Sequence, residues 1–121
     1  MEILKELSEK ISKETGLSCS SWVIPRDGGK LRKAPYIVLE KEDGGVDYAD
    51  NEPLMVTTEV KAMLVISADD SETEEIFDGF LWENGFNFSY TMGYDSTMQV
   101  IGKQYSFTVV SVPEKGGRNG G

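Results

Sequence analysis

A single stretch, residues 53–68, constrains the fold of this chain more than any other. Its residues alternate, and one phase is apolar at every position but one: Leu54, Val56, Thr58, Val60, Ala62, Leu64, Ile66 and Ala68. Successive side chains of a β-strand point to opposite faces of the sheet, so the pattern predicts a long strand with one buried and one partly wet face. At about 3.3 Å per residue, such a strand is longer than a small domain needs. We therefore expect either a bend or bulge near Thr57–Thr58 or a first part that extends towards a neighbouring molecule.

The composition excludes several classes of function. The 121 residues, 39% of them hydrophobic, suffice for one domain with one core. The chain has no histidine, so catalytic triads and zinc sites built on histidine are excluded. The formal net charge of -9 argues against binding to the phosphate backbone of nucleic acid. It is compatible with an ordinary acidic surface, and also with a channel through which DNA slides without sticking.

The single cysteine, Cys19, has no partner for an internal disulfide, which indicates a reducing compartment. Because no histidine is present to lower its pKa, we expect it to be a small buried or half-buried residue rather than a nucleophile. No apolar run approaches the roughly 20 residues of a membrane helix. Residues 1–13 are charged at every turn, and we expect no signal-peptide core there.

Two segments have helical periodicity. Residues 2–15 carry one apolar stripe, and Gly16 provides a C-terminal stop. The second helix is expected after residue 70, because Ser71 and Glu74 have the spacing of a capping box, and Gly85 should end it. Its apolar stripe consists of Ile76, Phe77, Phe80 and Leu81.

Four more segments alternate as strands do: residues 17–24, 35–41, 86–94 and 98–110, the last interrupted by Lys103. The resulting order is helix, strand, strand, long strand, helix, strand, strand. It predicts an α+β, two-layer domain over residues 1–112, in which two helices pack on one face of a mostly antiparallel or mixed sheet of about five strands. The other face would stay partly polar and exposed, or meet another subunit. The glycine-rich residues 113–121 are expected to form a flexible tail.

Two loops concentrate charge. The first, residues 25–34, contains the turn-forming Gly28-Gly29 and the one basic cluster of the chain: Arg26, Lys30, Arg32 and Lys33. It is either a solvated hairpin tip or a basic finger that docks on an acidic patch of a neighbouring copy. The second, residues 42–52, is acidic. It lacks the ligand spacing of an EF-hand, so we expect a solvated loop rather than a calcium site.

Several short segments together resemble one family. They are Pro35-Tyr36-Ile37-Val38-Leu39, Asp47-Tyr48-Ala49-Asp50-Asn51, Gly85-Phe86-Asn87-Phe88 and Met98-Gln99-Val100. In this order, around a long strand and an acid-started helix, they are similar to the small tail terminator or tail completion proteins of siphophages and Gram-positive prophages. The resemblance covers about residues 1–110, and its most specific part is the Tyr-Ala-Asp-Asn segment.

The resemblance implies a fold like that of the lambda tail terminator, an α+β subunit that closes into a hexameric ring. Such a ring caps the tube of the major tail protein, stops its polymerisation, and offers a surface to the head-closure or connector protein. It implies no catalysis, no cofactor and no contact with DNA beyond passage through the lumen, in a virion assembled in the host cytoplasm. By position, Tyr48, Asp50 and Asn51 become candidate contacts with another subunit or the tube.

Three alternatives stay open. The chain would fit another neck protein, such as a head-closure or connector subunit. It would also fit an acidic inhibitor or binding module that mimics nucleic acid, although the basic loop argues against this. An enzyme is the weakest alternative, because it would have to rely on carboxylates, tyrosines or Cys19 without visible pairing.

Overall fold

The computed structural model describes residues 3–24, 26–49 and 52–111. The predicted order of the main elements and the α+β class are confirmed. The tail predicted at 113–121 lies outside the described residues. The elements are α1 (Ile3–Thr15), β1 (Cys19–Ser21), β2 (Arg26–Asp27), β3 (Lys30–Leu31), β4 (Tyr36–Ala49), β5 (Glu52–Ser67), α2 (Ser71–Glu83), β6 (Phe88–Asp95) and β7 (Val100–Ser111).

The main sheet has five strands in the order β1-β4-β5-β7-β6. β1 runs parallel to β4, and every other neighbouring pair is antiparallel. β5 therefore occupies the centre, paired along both edges. The parallel β1–β4 pair makes the sheet mixed, which is one of the two arrangements that the sequence predicts. The short strands β2 and β3 form a separate hairpin.

One face of this sheet carries the core, and we call it the helix-covered face. In β5, the buried residues belong to the apolar phase identified in the sequence. They meet apolar side chains from both helices, since α1 and α2 pack on the same side. The core comprises Leu4, Leu7, Ile11, Ile37, Leu39, Val60, Ala62, Leu64, Ile66, Phe77, Phe80, Leu81, Tyr105 and Phe107.

β4 and β5 form the central hairpin of the sheet. The prediction for β5 is confirmed, whereas β4 is longer than the sequence predicts. β4 continues through most of the segment predicted as an acidic loop, up to Ala49, because β5 supplies backbone partners along its whole length. Of the two alternatives stated for this strand, a bulge near Thr57–Thr58 is wrong, because the register is continuous there. The register instead shifts between Lys41 and Asp43 of β4, where Glu42 is the extra residue, and again beside Leu54 of β5.

The first strand is shorter than the predicted residues 17–24, and it ends at Ser21. Trp22 has a φ of 70°, a left-handed conformation that stops the alternation of side chains. Its N–H donates to the Leu39 carbonyl at 2.8 Å. The chain after Trp22 is therefore directed away from the sheet edge and into the β2–β3 hairpin, whose turn residues Gly28 and Gly29 also have positive φ.

The start of α2 also differs from the prediction. Its N-cap is Asp70, whose Oδ1 accepts a hydrogen bond from the Thr73 N–H at 3.1 Å. The Ser71–Glu74 capping box is thus wrong, since Glu74 turns towards the sheet. The predicted stripe is buried at three positions, but Ile76 is exposed.

The interruption of the last strand by Lys103 has a structural explanation. Lys103 is only 2% exposed, and its Nζ donates to Glu74 Oε2 at 2.7 Å and to Asp78 Oδ2 at 3.2 Å. The same Nζ lies 4.2 Å from the ring centroid of Tyr90, and the Tyr105 hydroxyl donates to Asp78 Oδ1 at 2.5 Å. This cluster fastens α2 to β7.

The charge state of the cluster follows from competing effects. Burial alone would lower the pKa of Lys103, but the hydrogen bonds and negative charges of Glu74 and Asp78 outweigh it and raise that pKa. Burial, with the Asp78 carboxylate nearby, also raises the pKa of Tyr105. At neutral pH the ammonium is charged and the phenol is neutral, which is the combination that the hydrogen bonds require.

Replacing Lys103 tests this fastening. Lys103→Ala should lower the free energy of unfolding by about 2–3 kcal/mol, less than a fully sequestered pair would cost because both carboxylates keep some solvent contact. Lys61→Ala is the control: Lys61 lies 3.8 Å from Glu42 at the surface, and its loss should cost less than about 0.5 kcal/mol. Denaturant titration measures both, and equal small losses would contradict the assignment.

The difference in stability between the wild type and Lys103→Ala should depend on pH. Because folding raises the pKa of Lys103 and Tyr105, their contribution is complete below the unfolded-state values and is lost as the pH rises through the folded-state ones. The stability gap between wild type and Lys103→Ala should stay constant from about pH 6 to 9 and narrow above about pH 10. A gap that is already narrowing at neutral pH would contradict this.

Candidate functional site

The second face of the sheet, which we call the open face, presents side chains of the phase opposite to the core. Within residues 3–24, 26–49 and 52–111, no helix packs on it. It is nevertheless largely apolar in its centre. Its strand residues include Tyr36 and Val38 of β4, Met63 and Val65 of β5, and Val100, Gly102 and Gln104 of β7.

A groove of about 950 Å³ lies on the open face where β4 begins and β5 ends. The segment after β1 forms one wall through Ile24, and the β6–β7 turn forms the other through Met98. Tyr36 and Val65 lie in its lining, and they are shared with a smaller adjoining groove of about 230 Å³. The two grooves form one continuous depression, which we call the groove, across the open face.

Large apolar side chains on the rim of the groove are exposed to solvent. Trp22 is 58% exposed and Met98 is 69% exposed, and Val23 is similarly open. Contiguous exposed apolar surface of this kind is typical of sites where proteins interact. A sheet face that is exposed only to solvent usually carries polar residues at the positions that point away from the core.

Two of the four basic residues singled out in the sequence line the groove. They are Arg32 and Lys33. Arg26 and Lys30 lie further out, on the exposed β2–β3 hairpin, where Arg26 Nη1 donates to the Gly29 carbonyl at 3.1 Å. The four residues thus lie on one basic segment, residues 26–33, whose hairpin part is exposed; its docking on a neighbouring copy stays a prediction.

The smaller part of the groove also contains Glu40 and Lys61, and the larger part contains one carboxylate, Asp95. Its Oδ1 accepts hydrogen bonds from the N–H groups of Thr97 and Met98, at 3.0 and 3.1 Å. Asp95 therefore stabilises its own turn. The larger part of the groove combines this carboxylate with two cations, Arg32 and Lys33.

A second surface follows the outer edge of β6. Among the described residues, no strand pairs with this edge. Its sequence, FSYTMGYD, has no lysine, arginine or proline, the residues with which edge strands usually prevent pairing with another chain. Tyr94 is 60% exposed, and Tyr90 and Met92 are also open. This edge is available for strand addition.

The structure does not bring together all the residues that the sequence proposed as contacts. Tyr48 lies near the far end of β4, where its backbone pairs with Pro53, and Asp50 and Asn51 lie outside the described residues. The basic segment precedes the other end of β4. Because β4 has 14 residues, the two ends are on the order of 40 Å apart. The two candidate contacts therefore belong to different surfaces.

The described ranges offer little chemistry. No group of three or more His, Cys, Asp or Glu residues within them could hold a metal ion. No helix in those ranges is long and apolar enough to cross a membrane. Cys19 is half-buried, and burial raises the pKa of its thiol to about 12.

The comparisons with known proteins add no relative. No protein-family model matches the chain, and no curated protein matches its sequence.

The reactivity of Cys19 tests its burial under α1. At pH 8 a thiol-specific reagent should label the folded protein at least about 100-fold more slowly than the unfolded protein, because so little thiolate is present. As a control, Ser96→Cys in a Cys19→Ser background places a thiol in the exposed β6–β7 turn and should react rapidly. Equal labelling rates for the folded and unfolded wild type would contradict the burial.

Proposed function

We propose that this protein is a structural subunit of a phage tail. Its copies close into a ring, most simply a hexamer, that caps the tail tube, ends tube polymerisation and provides the surface to which the head joins. The phage assignment is supported by the sequence resemblance. The assembly role is supported by one structural observation above all: the apolar groove on the open face.

The groove supports assembly because the rest of the fold has no use for it. The core is complete on the helix-covered face, where Leu64 and Tyr105 are fully buried. On the opposite side, the rim residues Trp22 and Met98 remain mostly exposed. Burying such side chains contributes about 25 cal/mol per Å² of apolar surface, so a partner seated there would gain stability that the monomer lacks.

The separation of the candidate contacts supports a ring in particular. A ring with more than two members is built from heterologous contacts, in which one surface of a subunit meets a different surface of the next. This chain presents such different surfaces: the groove with its basic segment at one end of β4, and the region of Tyr48 at the other end. A two-fold dimer would need only one self-complementary surface.

The central hairpin gives the proposed ring a means to reach other components. β7 pairs with β5 as far as Val56, and the hairpin continues beyond that point to Ala49 and Glu52. We assign this extension, with Tyr48, Asp50 and Asn51, to contact with the tube or a neighbouring subunit. The net charge of -9 suits a ring through which DNA passes, provided that acidic residues face the lumen.

We assign no catalytic role. The larger part of the groove is lined mainly by apolar side chains. Its charged groups are Arg32, Lys33 and Asp95, and Asp95 is engaged by the N–H groups of its own turn. The titratable cluster around Lys103 lies between α2 and β7, where the buried Lys103 is engaged by Glu74 and Asp78. Its geometry serves packing.

Particles assembled without this protein test the proposal. Electron microscopy should show tail tubes of uncontrolled, excessive length that carry no heads, and expression of the wild-type gene from a plasmid should restore normal tails. Normal, head-bearing tails without the protein would contradict the proposal. Finished tails of normal length beside filled heads would contradict a terminator and assign the chain to head closure or connection.

A further inference from the structure

We infer that the groove on the open face is occupied by the outward side of α2 from a second copy of this chain. The inference rests on the proposed ring and deepens it, because it names the two surfaces that meet at each contact. Three observations carry it: an excess of negative charge on α2, a notch between α2 and the end of α1, and the cations and apolar lining of the groove.

The negative charge of α2 is only partly neutralised within the subunit. The helix SETEEIFDGFLWE carries five acidic residues and no basic one. Lys103 engages two of them, Glu74 and Asp78. The remaining three, Glu72, Glu75 and Glu83, are exposed, and none forms an ion pair with another residue of the described ranges. The outward side of α2 therefore presents uncompensated carboxylates.

Apolar surface lies between these carboxylates. Ile76 is exposed, and Gly79, one turn further along, has nothing within 4 Å of the position a Cβ would take. A notch of about 300 Å³ opens here between α2 and the end of α1. Ile76, Gly79 and Phe80 line it together with Glu75 and Glu83, and Glu14 and Thr15 of α1 form its other side. The notch can receive a side chain from a neighbouring molecule.

The groove is complementary to this surface. In its larger part, Arg32 and Lys33 supply positive charge and Asp95 is engaged in its own turn. Ile24, Tyr36 and Val65 supply the apolar contact. The chain has 21 acidic and only 12 basic residues, and four of the basic ones lie within residues 26–33. A second copy is thus a ready source of the acidic partner that the basic segment would attract. An amphipathic helix laid in an apolar groove is a common mode of recognition.

The geometry makes the contact propagate. α2 lies on the helix-covered face, whereas the groove lies on the open face, so each copy offers both halves of the contact on opposite sides. The contact is heterologous: it closes into a ring if the rotation between copies permits, and extends into a filament otherwise. In the assembly, the helix-covered face of each sheet would pack against its own two helices, and the open face would pack against α2 of the neighbouring copy.

Charge reversal tests the contact. Sedimentation velocity measures the association of the wild type, first as the protein alone and then in the presence of purified tail tubes. The variant Glu75→Lys/Glu83→Lys should associate at least about tenfold more weakly, because it places like charges beside Lys33. The variant Glu6→Lys/Glu9→Lys changes the net charge equally on exposed positions of α1 and should associate as the wild type does. Thermal melting verifies that each variant is folded.

Restoration makes the test specific. Lys33→Glu alone should also weaken association, and Lys33→Glu combined with Glu75→Lys in one chain should restore it to within about threefold of the wild type. Failure of the combined variant to recover would overturn the inference, as would unchanged association of the α2 variant. In both cases an assembling wild type would leave the ring proposal standing.

Disulfide trapping gives a readout independent of affinity. In a Cys19→Ser background, Lys33→Cys with Glu75→Cys should form, on mild oxidation, a ladder of cross-linked species up to the full ring. The pair Lys33→Cys with Glu9→Cys is the control and should not. A ladder that stops at dimers, or pairing through the β6 edge alone, would overturn the inference. A wild type that stays monomeric both alone and on tail tubes would contradict the ring proposal itself.

Discussion

The structure depends on the position of β5 at the centre of the sheet, paired with β4 on one side and β7 on the other. This pairing fixes which side chains face the helices: Val60, Ala62 and Leu64 are fully buried there. Because successive residues of a strand point to opposite faces, the same register directs Met63 and Val65 to the open face. The position of β5 therefore determines both the core and the groove. A shift of its register by one residue would move the core side chains to the open face and the groove side chains to the helix-covered face.

The asymmetry between the faces explains the distribution of the other features. On the helix-covered side, even a lysine is accommodated, because Glu74 and Asp78 of α2 meet Lys103 of β7. This arrangement uses two carboxylates of α2 internally and leaves its outward carboxylates without a partner in the described part of the subunit. The fastening of α2 thus also determines which charges the helix presents to its surroundings.

Much of the fold follows from local patterns in the sequence. The alternation of residues 53–68 predicts β5, and the apolar stripes predict both helices, because these signals depend only on neighbouring residues. The rest depends on distant ones. The extension of β4 could not be predicted, because its acidic and glycine residues are typical of a loop and its strand geometry is stabilised only by pairing with β5. The left-handed Trp22 has no local signal, and Glu74 was assigned to a capping box because its partner, Lys103, lies 29 positions later.

The candidate site could be predicted only in part. The basic segment is visible in the sequence, but the groove is not, since Ile24, Tyr36, Val65 and Met98 are far apart along the chain. One signal was available: the second phase of β5 contains Met63 and Val65, which is more apolar than a solvated face requires. Of the contacts suggested by the family resemblance, Tyr48 lies on the central hairpin, apart from the groove.

In the proposed assembly, the open face of each subunit is completed by another copy. Oxidative footprinting of the methionines, compared between dilute and assembled protein, tests it most directly. The account predicts strong protection of Met98 in the groove on assembly, with little change at Met92 on β6, which is also exposed in the subunit. Equal oxidation of Met98 in the two states would contradict the account.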